Sequence, residues 1–164
     1  MEIVWSVMYE NVRLLSLQEG TYDNGCGVHS NFYLYSLLWD KRNKRAVRLI
    51  DLFHDSSENG PALKMLSSNL LKQWTAEYQK RSGSDDVDSY ALKWAQRGLA
   101  PKAAKFNAFV LIARDGPNEP TARGLTFLFS PYALSAYVFG SFSFEVTADD
   151  LRPYLAEEWK EQFH

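Results

Sequence analysis

Residues 124–151 constrain the fold of this chain more than any other stretch. Gly124-Leu-Thr-Phe-Leu-Phe129 is an apolar run of strand length, Ser130-Pro131-Tyr132 has turn chemistry, and an aromatic connector leads to Gly140. Ser141-Phe-Ser-Phe-Glu-Val146 then alternates polar with apolar at period two, so one face of that strand is expected to be buried and the other wet. Thr147-Ala-Asp-Asp150 approximates a capping box, with Asp in place of the usual Glu, and predicts a short helix. The stretch holds aromatic core candidates, Phe127, Phe129, Phe142 and Phe144, and no catalytic constellation. It describes a scaffold.

The remainder extends the same alternation of strands and helices. Ile3, Trp5, Val7 and Tyr9 alternate along a first strand, Glu10-Asn11 suits a tight turn, and Val12 to Thr21 reads as a second strand. A Gly-rich loop spans 22–29. Asn31 to Trp39 is a third strand, followed by a charged turn at 40–45 and renewed pairing from Ala46. Pro61 suits the first position of a long helix whose apolar face is Leu63, Leu66, Leu70, Leu71, Trp74 and Tyr78. Gly83 ends it. Ser84 is expected to cap a second helix with Val87, Tyr90, Ala91 and Trp94 on its inner face. Phe106 to Ala113 is apolar on both sides, as a central strand would be. Pro153 is placed at the opening of a terminal helix carrying Leu155, Trp159 and Phe163. These elements predict one α+β domain over 1–164.

Composition narrows the function classes. The chain has 164 residues and a net charge of −2, which leaves no basic footprint for nucleic acid. No apolar run reaches the length of a membrane span, and the chain opens without the pattern of a secretory signal peptide. A single cysteine, Cys26, forms no intrachain disulfide. Aromatic residues make up 15% of the chain, a bias shared by cores and binding surfaces.

Two regions carry a family resemblance. The first is Leu14-Leu-Ser-Leu17, Tyr22, Gly27-Val-His29, a strand, and Leu49-Ile-Asp-Leu-Phe53; the second is the stretch from Gly124. In order and spacing they resemble the extracytoplasmic domain of lysozyme-sensing anti-sigma-V factors and the N-terminal domain of peptidoglycan deacetylase C. The resemblance spans roughly residues 12 to 155. It implies an α+β fold, an antiparallel β-sheet with helices packed on one side, in a periplasmic or extracytoplasmic setting. It also implies a binding role without catalysis. The family loop Gly-Gly-Ala-His-Gly is here Cys26-Gly-Val-His-Ser30, and the family's acid-Thr-Gly-Lys turn is Asp40-Lys-Arg-Asn-Lys44.

On this reading the chain binds a protein, a peptidoglycan hydrolase or lysozyme-like enzyme, and inhibits it, either as a lysozyme inhibitor or as an immunity protein. Contact residues are expected in the loops that depart from the family: Asn24, Cys26, Val28, His29 and Ser30, then Asp115, Asn118 and Glu119, with Tyr132 at the Ser-Pro-Tyr turn. No catalytic, metal or cofactor residues are expected. His29, His54 and His164 are scattered without metal spacing, and Asp51 with Asp55 or Asp149 with Asp150 suit helix-end capping better than acid–base work. The basic run Lys41, Arg42, Lys44, Arg45 and Arg48 fits a solvated hairpin tip. Two other readings stand beside the first: a peptidoglycan-binding carbohydrate module with exposed Trp and Tyr, and a thiol enzyme using Cys26 beside His29.

Overall fold

The computed structural model describes residues 1–23, 31–113 and 116–164. The fold is α+β, and its strands form two antiparallel sheets. The first comprises β1 (Glu2–Glu10), β2 (Leu14–Asp23), β3 (Asn31–Asp40) and the two-residue β4 (Arg45–Ala46), in the order β1-β2-β3-β4. The second comprises β5 (Phe109–Leu111), β6 (Gly124–Phe129) and β7 (Phe142–Thr147), in that order. Between them in the chain come α1 (Pro61–Ser82) and α2 (Ser89–Gly98). The short helices α3 (Ala148–Leu151) and α4 (Glu157–Lys160) close it.

The long helix forms as its sequence predicts. Pro61 occupies its first turn, Leu63, Leu66, Leu70, Trp74 and Tyr78 are buried, and Gly83 ends it in the left-handed region at φ 68°. It packs on β7, where Gln73 Nε2 donates to the Glu145 carbonyl at 2.7 Å. The second helix starts later than Ser84. Asp88 is its cap, its carboxylate accepting from the Tyr90 and Ala91 N–H groups at 2.9 Å each. The helix buries Ala91 and Ala95 and leaves Tyr90 67% exposed, which removes Tyr90 from the expected inner face. In β7 the buried and exposed residues alternate along the whole strand, and the Thr147 hydroxyl accepts from the Asp150 N–H, capping α3.

Two further expectations are corrected. Phe109, Val110 and Leu111 are buried, yet β5 is the edge of its sheet. Its burial comes from the first sheet, against which its free edge rests. Ser16 Oγ accepts from Leu111 N at 3.0 Å and Ser36 Oγ from Phe109 N at 2.8 Å, so two serines satisfy donors that a neighbouring strand would otherwise take. A third serine, Ser130 at the turn after β6, caps Leu34 N on β3 at 2.9 Å. The chain end is the second case. Leu155, Trp159 and Phe163 are buried as expected, but a helix opened by Pro153 does not carry them. Leu155 bridges to Phe53 and Phe163 to Ala122, with only Glu157–Lys160 helical between.

A bulge at Met8 divides β1. Val7 pairs with Leu17 but Tyr9 pairs with Ser16, so one extra residue shifts the side-chain parity. Tyr9 turns inward and is fully buried, whereas Ile3, Trp5 and Val7 lie on the opposite face, each about half exposed. The four residues do not share one face.

Candidate functional site

The register of the first sheet defines two faces. Ser16, Ser36 and Leu38 lie on the inner one, toward β5. The outer face carries three side-chain rows running across β1, β2 and β3: Ile3–Thr21–Tyr33, Trp5–Glu19–Tyr35 and Val7–Leu17–Leu37. Leu15 and Trp39 continue it toward the Glu10–Lys41 ion pair at 3.0 Å. An antiparallel sheet with one solvated face normally presents polar side chains there. Here the outward positions are mostly Ile, Val, Leu, Trp and Tyr. Trp5 is 51% exposed and Tyr35 52%. Such a contiguous apolar patch marks an interaction surface in soluble domains.

Charge on this sheet is one-sided. Strands β1 to β3 contain no lysine or arginine, while Glu2, Glu10, Glu19, Asp23 and Asp40 lie on them. Glu10 pairs with Lys41 and Asp40 with Arg13, both at the same end of the sheet. Among the described residues Glu19 and Asp23, both of the outer rows, make no ion pair, so the half of the face that ends at Asp23 and Asn31 is acidic as well as aromatic.

Asp40 anchors the opposite end. It is buried, and its carboxylate accepts from the Arg42 and Asn43 N–H groups at 3.0 Å, from Asn43 Nδ2 at 2.9 Å and from Arg13 Nη2 at 3.2 Å. Burial opposes its charge most strongly, but the Asn43 and Arg13 hydrogen bonds together outweigh that and hold its pKa below the ordinary carboxylate value. Arg13 also stacks over the Trp159 ring, 4.2 Å from its centroid, and Trp159 Nε1 donates to the Asp51 carbonyl at 2.7 Å. The basic run is a hairpin tip, as expected. Lys41 pairs with Glu10, and Arg45 and Arg48 pair with Asp51, whose pKa falls chiefly through the Arg48 hydrogen bond.

Of the loop residues expected to make contact, the described ones, Asn118 and Glu119 on one hand and Tyr132 on the other, lie in different places. Asn24, Cys26, Val28, His29, Ser30 and Asp115 lie outside the described residues. Asp23 and Asn31, which flank 24–30 in the chain, pair with each other at the Glu2 end of the sheet. Asn118 and Glu119 line a shallow hollow with Glu10, Asn11 and Lys41 at the other end, roughly 25 Å away by strand rise. That hollow is built on Asn11, whose Nδ2 donates to the Tyr9 hydroxyl and to the Pro120 carbonyl, both at 2.9 Å. Tyr132 lies in the turn that follows β6. It is 52% exposed at φ 69°, its ring lies 5.4 Å from that of Tyr137, and its carbonyl accepts from Trp94 Nε1. Its ring therefore does not fill the core.

Asp55 and Asp150 cap local turns: Asp55 accepts from Ser57, and Asp150 meets the Thr147 hydroxyl at 3.0 Å. Among the described residues no group of three His, Cys, Asp or Glu side chains is placed to hold a metal ion, and no helix is long and apolar enough to cross a membrane. A cleft of about 500 Å³ lies between the β3–β4 edge and residues 103–109, rimmed by Arg48, Glu58 and Asn107. Its Arg48 is engaged with Asp51, and Glu58 accepts from the Ala103 N–H.

No protein-family model matches this sequence, and no curated protein is significantly similar to it. Solved structures share its fold. A DUF3298 family protein from Bacteroides fragilis NCTC 9343 superposes with a TM-score of 0.67 at 18% identity over 97% of this chain. A DUF3298 family protein from Pseudomonas aeruginosa PAO1 superposes with a TM-score of 0.61 at 13% identity over 98% of it. The chain spans 55% and 62% of the lengths of those two proteins. At these identities the likeness is one of fold, and it agrees with the α+β architecture that the sequence resemblance implies.

Proposed function

We propose that this chain is a non-catalytic binding domain of the cell envelope that recognises and inhibits a peptidoglycan hydrolase. The observation that carries the reading is the outer face of β1–β3: apolar and aromatic where a solvated sheet face is ordinarily polar, and free of lysine and arginine. Lysozymes are strongly basic proteins, and an acidic, aromatic surface is complementary to them in charge as well as in apolar character. The family resemblance supports the same class of partner. Occlusion is the mode of inhibition: a partner seated on the sheet has its substrate cleft covered.

The test mixes the purified domain with a panel of lysozymes and other wall hydrolases. The expected result is a stable complex with at least one of them and dose-dependent loss of its wall-hydrolysing activity. The pair Trp5→Ala and Tyr35→Ala, two central aromatic anchors, is expected to weaken that complex by about a hundredfold. Absence of any complex and of any inhibition across the panel would reject the proposal. The exposed Trp5 and Tyr35 rings also suit stacking on sugars, the carbohydrate-module reading. Sedimentation with insoluble peptidoglycan in the absence of enzyme separates the two, because the hydrolase reading expects little protein in the pellet.

A further inference from the structure

Glu19 is the one charged side chain in the middle of the outer face. Its cross-strand neighbours are Trp5 on β1 and Tyr35 on β3, and side chains directly opposite across adjacent strands stand about 5 Å apart. The carboxylate thus lies between two half-exposed aromatic rings, with the Tyr33 ring stacked 6.4 Å from that of Tyr35 on its flank. It is also held in place. The Thr21 hydroxyl, itself only 8% exposed, donates to Glu19 Oε1 at 2.6 Å. Among the described residues no cation pairs with it.

A carboxylate half-buried among apolar side chains without a cation is an incomplete arrangement. Its remaining lone pairs accept hydrogen bonds from a donor arriving along the sheet normal, and the two ring faces attract positive charge on either side. The group that satisfies all three at once is planar, cationic and rich in N–H donors. An arginine guanidinium pairs with a carboxylate in a two-pronged geometry and stacks on aromatic rings, whereas an ammonium does only the first well.

We propose that Trp5, Glu19 and Tyr35 form a receiving site for an arginine side chain of the protein partner, with Thr21 as the positioning residue that holds the carboxylate. The inference rests on reading the outer face as a protein-binding surface and names the chemistry at its centre. It does not require the partner to be a hydrolase.

The experiment uses the full chain and no enzyme. Its ¹H–¹⁵N spectrum is followed at constant ionic strength during titration with Nα-acetyl-arginine amide and, in parallel, with the neutral isostere Nα-acetyl-citrulline amide. The Trp5 indole N–H is identified as the signal missing from Trp5→Phe. Saturable shifts of that signal and of the Glu19 and Tyr35 amides are expected with the arginine compound alone, with a Kd on the order of 10 mM. In Glu19→Gln, which keeps the size and the Thr21 hydrogen bond, affinity is expected to fall at least about fivefold. A response that does not saturate, an equal response to the citrulline compound, or an unchanged affinity in Glu19→Gln overturns the proposal. A panel without a hydrolase partner leaves this result standing, and failure here leaves the panel result standing.

Discussion

Replacing Asp40 with alanine is expected to lower the stability of the domain by about 3 kcal/mol, the cost of stripping one partner from a buried charged network. Two backbone N–H groups, the Asn43 amide and the Arg13 guanidinium all lose the oxygen they donate to. Arg13 keeps the Trp159 ring, the Glu158 carbonyl and a longer ion pair, 3.7 Å, with the exposed Glu158 carboxylate, which replaces only part of what the buried Asp40 carboxylate supplies. For a chain of this length the loss corresponds to a fall in Tm of roughly 6–12 °C, readable by calorimetry. The effect carries a pH signature. The folded pKa of Asp40 is depressed, so its contribution is complete above the ordinary value of 3.8 and is lost as pH falls below it through the folded value. The stability gap between the parent and Asp40→Ala should therefore be constant from neutral pH down to about pH 4 and narrow below it. A gap under about 1 kcal/mol at neutral pH, or one that stays constant into strong acid, would contradict the role assigned to this carboxylate.

Gly124→Ala is expected to be at least as damaging, by about 3 kcal/mol or more, because two costs act at one atom. Gly124 has φ 153°, which side-chain-bearing residues rarely adopt, and a Cβ built there would overlap the Val146 carbonyl oxygen. The clash is with backbone in the β6–β7 ladder, where Gly124 faces Thr147, so no rotamer relieves it. Relief requires displacing the end of β7 together with the Thr147 cap of α3. Denaturant unfolding followed by Trp fluorescence reads the loss. A variant with the parent's midpoint would mean that the strand end yields more easily than its packing suggests.

How far the structure was legible in the chain depends on whether a signal was local. The long helix and the amphipathic β7 were, since Pro61, Gly83 and the Phe142–Val146 alternation each decide their own element. The start of α2 was not, because Ser84 and Asp88 are equally good caps by residue type, and only the bonds to Tyr90 and Ala91 choose between them. The burial of β5 read as that of a central strand, whereas it comes from a second sheet whose contact depends on Ser16 and Ser36, ordinary polar residues in sequence. The outer face was hidden for a related reason. Leu14 and Leu38 on one side and Leu15 and Leu37 on the other are all apolar, so alternation does not say which set meets solvent.

The bulge at Met8 makes the two halves of β1 separable. Everything from Tyr9 onward keeps its place in the core whatever precedes it, because the ladder from Tyr9–Ser16 is set by its own pairing. Loss of Met8 would leave a regular strand with the same faces, whereas insertion of one residue between Ser6 and Val7 would turn Ile3 and Trp5 inward and bring Glu2, Val4 and Ser6 out, exchanging a hydrophobic rim for a mostly polar one. A single-codon insertion thus suffices to change what this strand presents to solvent while the residues from Tyr9 onward keep their places. The character of the exposed face and the anchoring of the core are written in different parts of the same strand.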